Sequence, residues 1–123
     1  MSNQLAVLFP GIGYHIDKPL LYYSAKLARA RGYDLLAVQY PALPTGLRGH
    51  AEKIEQAVQT ALSAAEEQLA AIDWTAYDRV FFLSKSIGTA IAARYAVQHN
   101  IHPRQVYYTP IEQALPYLDP TGI

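Results

Sequence analysis

Along the chain, apolar positions switch between short unbroken runs and stripes of helical period, and each switch marks a change of element. Residues 4–9 (Gln-Leu-Ala-Val-Leu-Phe) are a short apolar run closed by Pro10 and Gly11, the pattern of a buried strand. Residues 34–40 repeat it, and their apolar content predicts cover on both faces of that strand. Further runs at 79–83 and 105–109 predict a third and a fourth strand. Between the first two runs, Leu20, Leu21, Tyr23, Ser24, Leu27 and Ala28 are spaced for one buried helix face. Asp17 suits its cap, Pro19 its first turn and Gly32 its end. From about residue 50 to 71, Ile54, Ala57, Val58, Ala61, Leu62 and Leu69 form a second stripe, with Glu52, Glu55, Glu66 and Glu67 left for water. An Ala-rich pattern predicts a third helix over 87–99.

Strands that alternate with helices through short loops imply an α/β fold: a parallel sheet with right-handed crossovers and helices on both faces, a three-layer sandwich. Loops leaving the carboxyl ends of the strands carry function in such sheets. Two candidate loops leave such ends, Pro10-Gly11-Ile12-Gly13-Tyr14 and the corner Ser84-Lys85-Ser86-Ile87-Gly88, and they are expected to meet. In a nucleophile elbow, a turn of the second kind lifts a serine hydroxyl above the strand ends. Small residues two before and two after it let strand and helix close together. The competing reading of Ser86 is an ordinary helix N-cap, a position serine favours.

Composition narrows the chemistry. With 123 residues, 51% of them hydrophobic, the chain suits a single domain with one core. Ten basic residues balance ten acidic ones without forming blocks, which gives no footprint for nucleic acid or an anionic membrane; a small-molecule substrate fits better. No apolar run reaches a membrane span and the first ten residues lack a signal peptide's pattern, so a cytoplasmic location is expected. The absence of cysteine removes disulfides, thiolate metal sites and cysteine nucleophiles. A Walker loop ending at Lys85-Ser86 needs glycine at 84 and 79, where Ser84 and Arg79 stand. A dinucleotide fingerprint at Gly11 needs a third glycine, where Ile16 stands. No cofactor or metal is expected.

The segments Phe9-Pro10-Gly11-Ile12-Gly13-Tyr14 and Ser84-Lys85-Ser86-Ile87-Gly88 together resemble those of a small bacterial α/β-hydrolase, and the likeness runs over nearly the whole chain. It implies that the first segment is the oxyanion loop, that the second is the nucleophile elbow, and that the four strands lie in the order second, first, third, fourth. The family most often has glycine where Ser84 stands, and serine is small enough for the turn. The family's acid and histidine usually follow later strands, whereas this sequence stops at Thr121-Gly122-Ile123; the expectation is a truncated form of the fold, either a fragment or a shortened protein.

The implied activity is hydrolysis of a small ester or thioester through a Ser86 acyl-enzyme. A serine hydroxyl needs a base to take its proton and donors for the oxyanion. The N–H of Ile87, at a helix start, is one donor, and that of Ile12 or Gly13 the other. Among the four histidines, His99 and His102 lie beyond the far end of the third helix, roughly 18 Å from Ser86 at about 1.5 Å per residue. His50 reads as a solvated helix start. His15, after the oxyanion loop, is the candidate base, set against a solvated loop histidine. Glu112 is the candidate acid, although Thr109-Pro110-Ile111-Glu112 also matches a capping box. Tyr14 and Lys85 are candidate substrate contacts, each with a packing or surface reading beside it, and the loop 41–49 is expected to shape specificity. Asp119 reads as a turn residue. Val106, Tyr107 and Tyr108 form an apolar edge through which a homodimer is expected. The reading from another class is a non-catalytic α/β binding or assembly module that keeps the corner as a structural turn.

Overall fold

The computed structural model of the protein describes residues 4–11, 19–40, 51–108 and 111–117. Its strands are β1 (Gln4–Phe9), β2 (Asp34–Ala37), β3 (Arg79–Lys85) and β4 (Arg104–Tyr108). Every pairing is parallel, and the order is β2-β1-β3-β4. Helices α1 (Pro19–Ala30), α2 (Ala51–Leu69) and α3 (Ile87–Gln98) join them, with short 3₁₀ turns at Trp74–Ala76 and Glu112–Tyr117. The class is therefore α/β, and the strand order is the one that the resemblance implies. Among the described strands, β4 borders the sheet.

The pleat of the strands divides their side chains between two clusters. Leu5, Val7, Phe9 and Phe82 join Ala57, Val58, Ala61 and Leu62 of α2 and Ile91 and Tyr95 of α3. On the other face, Ala6, Leu8 and Leu83 meet Ala25 and Ala28 of α1. Phe82 is the aromatic centre of the larger cluster, with ring centroids 4.9 Å from Phe9, 5.8 Å from Trp74 and 6.2 Å from Tyr95. Helix α3 is buried at every position from Ile87 to Ala96, because α2, the sheet and the Glu112–Tyr117 turn all pack against it. Its alanines are what make so many close neighbours possible.

Several expectations change. Strand β2 ends at Ala37 rather than at 40, apart from one more bond from the Val38 N–H to the Leu8 carbonyl at 2.9 Å. Beyond it, the backbone of Gln39 is held by a side chain instead of a strand: its N–H donates to Gln68 Oε1 at 2.8 Å, and Gln68 Nε2 donates back to its carbonyl. The expected apolar face of α1 is also wrong in part, since Tyr23 is 61% exposed and Leu27 57% exposed. The helix rests on the sheet through small Ala25 and Ala28, which allow close approach and turn the larger pair outward. The side chains of Leu20, Leu21 and Ser24 lie outside the described part. Strand β3 runs on to Lys85, because Ser84 and Lys85 pair with Tyr107 and Tyr108.

Glu55 and Glu66 are not simply turned to water. Glu66 approaches the His99 Nε2 at 3.5 Å, and His99 stacks on Tyr95 with centroids 4.1 Å apart. Glu55 takes a bidentate pair of bonds from Arg94 at 2.5 and 2.7 Å. Arg94 sits in the middle of α3 and is only 8% exposed, so its charge needs this partner. Its Nε and one terminal nitrogen also donate to the Gln113 carbonyl at 3.3 and 3.0 Å, and its guanidinium lies 5.0 Å from the Tyr117 ring centroid. One side chain thus ties α2, α3 and the Glu112–Tyr117 turn together.

The hydrogen bonds from Arg94 hold the Glu55 carboxyl below the usual carboxylate range. A depressed acid stabilises the fold above its unfolded pKa, and that stability is lost as pH falls through the lower folded value. Glu55→Gln is expected to cost about 1–2 kcal/mol at neutral pH, since Glu55 is partly solvated. Its stability should also fall less steeply than the wild type's between pH 5 and 3, an interval spanning the ordinary carboxylate value near ~4.3. Urea midpoints of the two proteins across that interval check both statements; parallel curves would contradict the second.

Candidate functional site

The corner after β3 is built from the backbone outward. Ser86 has φ 54° and ψ −122°, a conformation that side-chain-bearing residues rarely adopt. Asn100 is the other non-glycine residue described with positive φ, at 51°, and its place just past the end of α3 explains it, because asparagine tolerates the left-handed turn that closes a helix. No such local reason applies to Ser86. It stands at the start of α3, yet its side chain makes no capping hydrogen bond and its backbone lies outside the extended region of an ordinary N-cap. The N-cap explanation of this serine therefore fails. A residue held in this way costs about 1–3 kcal/mol and persists only where its neighbours over-determine it.

Those neighbours are visible. The Ser86 N–H donates to the Tyr108 carbonyl at 2.9 Å, at the carboxyl end of β4. The Ser86 carbonyl accepts from the Thr89 N–H at 2.9 Å and from the Thr89 hydroxyl at 2.6 Å. Two residues before it, Ser84 is fully buried and donates its Oγ to the Val106 carbonyl at 3.3 Å, which satisfies a polar group in the core. Two residues after it, a Cβ placed on Gly88 would lie 2.0 Å from the Phe9 carbonyl oxygen and 2.7 Å from that of Pro10. Only glycine fits there. At the corner α3 thus meets the end of β1 and Pro10, the first residue of the loop expected to face it; the rest of that loop, from Ile12 on, lies outside the described residues.

Ile87 opens α3 and is 4% exposed; its N–H belongs to the first turn, whose donors have no partner within the helix. Lys85 is half-buried and ends β3, in register with Tyr108. Glu112 is exposed and opens the 3₁₀ turn Glu112–Tyr117. Ile12, Gly13, Tyr14, His15, Asp17, His50, the loop 41–49, Thr109, Pro110 and Asp119 lie outside the described residues. Of the other histidines, His99 caps the far end of α3. His102 lines a cavity of about 260 Å³ with Asp78 and Val80, at the amino end of β3. Both stand toward the amino ends of the strands, whereas Ser86 follows the carboxyl end of β3.

Two residues that shape this region escape the sequence reading. Thr89 follows Ser86 by three, the spacing at which a threonine hydroxyl can bond back to a carbonyl in the first turn of a helix, and that spacing was a usable signal. Arg94 interrupts the run Ala92-Ala93-Arg94-Tyr95-Ala96, and a charge in an otherwise apolar helix points to a buried partner. Among the described residues, no group of three or more His, Asp or Glu is gathered to hold a metal, and no helix is long and apolar enough to cross a membrane. Comparison of the chain with protein-family models, with curated proteins and with solved structures finds no match in any of the three.

The glycine requirement is directly testable. Gly88→Ala should destabilise the protein by about 3 kcal/mol or more, because the added carbon meets backbone carbonyls that cannot step aside. Chemical denaturation of the two proteins measures this, and a variant as stable as the wild type would show that helix and strand are not in such close contact.

Proposed function

We propose that the protein is a serine hydrolase of the α/β-hydrolase superfamily, acting on a small ester or thioester. The observation that carries this reading is the backbone of Ser86, held at φ 54° and ψ −122° between the end of a parallel strand and the start of a helix, without a capping role for its side chain. Strain of this kind is kept where a function uses it. In this reading Ser86 Oγ attacks the substrate carbonyl carbon while its proton passes to a base. The Ile87 N–H and that of Ile12 or Gly13 stabilise the oxyanion, and the alcohol or thiol departs with the proton. Water then attacks the acyl-enzyme by the same route, which releases the acid and restores the hydroxyl. With His99 and His102 at the opposite end of the strands, His15 is the proposed base, Glu112 the proposed acid, and Tyr14 and Lys85 the proposed substrate contacts.

The remoteness of His99 and His102 is also the observation that favours the second reading, a binding or assembly module that retains the corner without catalysis. The two part on reactivity. A fluorophosphonate probe should form one covalent adduct on the wild-type protein, mapped to Ser86 by peptide mass spectrometry, and Ser86→Ala should abolish it. A folded wild-type protein that takes no label would favour the module.

A further inference from the structure

We propose that Thr89 is a positioning residue for Ser86, an inference that rests on the reading of Ser86 as the nucleophile. Thr89 is fully buried in the first turn of α3. Its hydroxyl donates to the Ser86 carbonyl at 2.6 Å and accepts from the Ile111 N–H at 3.4 Å. One oxygen therefore joins the strained residue to the segment that follows β4. Tyr108, at the end of β4, holds the other side of the same residue by accepting its N–H at 2.9 Å.

The energetic reason for a hydroxyl at this place is specific. Ser86 sits in a rarely populated backbone conformation, so its peptide groups would rotate toward a relaxed one if their partners were removed. The Thr89 N–H would supply one bond to the Ser86 carbonyl from any residue at 89, because it is part of the helix backbone. The hydroxyl supplies the second bond, and it alone extends the restraint to Ile111. It also satisfies the backbone N–H of half-buried Ile111, which would otherwise lose this acceptor. Valine at 89 has nearly the same shape and lacks both bonds, so it separates the hydrogen-bonding role from packing. Serine keeps the hydroxyl and loses a methyl group.

The experiment compares fluorophosphonate inactivation of wild type, Thr89→Val and Thr89→Ser, resolved into probe affinity and maximal labelling rate, with amide hydrogen exchange at Ser86 and Ile111 on the same proteins. A small displacement of a reacting group costs large factors in rate, so Thr89→Val should lower the maximal rate by about tenfold or more with probe affinity little changed. Exchange at Ser86 and Ile111 should quicken, and Thr89→Ser should restore most of both. If Thr89→Val does not fold, Thr89→Ala is read in its place against Thr89→Ser. Equal labelling rates in wild type and the valine variant would overturn the inference and leave the hydrolase reading standing, as would a serine variant no faster than the valine one. Wild-type protein that takes no label overturns the hydrolase reading, and this inference with it.

Discussion

Where β3 gives way to α3, the helix lies so close to the neighbouring strand that the carbonyl oxygens of Phe9 and Pro10 occupy the space a side chain at 88 would fill. Much of the architecture follows from that contact. It brings the start of α3 onto the end of β1 and onto Pro10, while Ser84 is fully buried beside it. At the corner itself Ser86 keeps a rarely populated backbone conformation, with its N–H bonded to Tyr108 and its carbonyl to Thr89. The strain is local, and the groups bonded to it come from the first turn of α3 and from the end of β4.

Two kinds of restraint act on α3. Around its first turn the bonds are short-range in space and mostly involve backbone: Tyr108 to Ser86, Ser86 to Thr89, Thr89 to Ile111. Two turns further along, Arg94 reaches Glu55 on α2 and the Gln113 carbonyl beyond β4. Both sets link α3 to the segment after β4, through Ile111 in one case and Gln113 in the other. The Glu112–Tyr117 turn is thereby tied to α3 through the residue before it and through its second residue, with Ala114 buried against the core. In this ion pair Arg94 is buried and Glu55 partly solvated, so loss of the carboxylate would leave a buried charge without its partner.

Much of this was legible in the chain. The period of the apolar positions located the described strands and α-helices, and the spacing of small residues around Ser86 located the corner. What the pattern could not supply was the partner of each polar group. Glu55 and Glu52 have the same character in sequence, yet only a structure brings Arg94 to the first. The outward turn of Tyr23 and Leu27 escaped for a related reason: helical spacing identifies a stripe, but a pair of alanines can win the contact face when close approach to a sheet is favoured over side-chain size. Strand β2 was overextended because apolar content says nothing about a Gln68 side chain ready to take the next peptide group. Thr89 was passed over because its importance lies in two bonds, one to a residue three positions back and one to a residue 22 positions on.

These restraints converge on the proposal that Ser86 is held for chemistry. The most direct test is to mix the protein with an activated small ester, quench early and weigh the intact chain. The account predicts a mass increase of one acyl group, located on Ser86 by peptide mapping and disappearing as the ester is consumed. A folded protein that stays unmodified while the ester persists would contradict it.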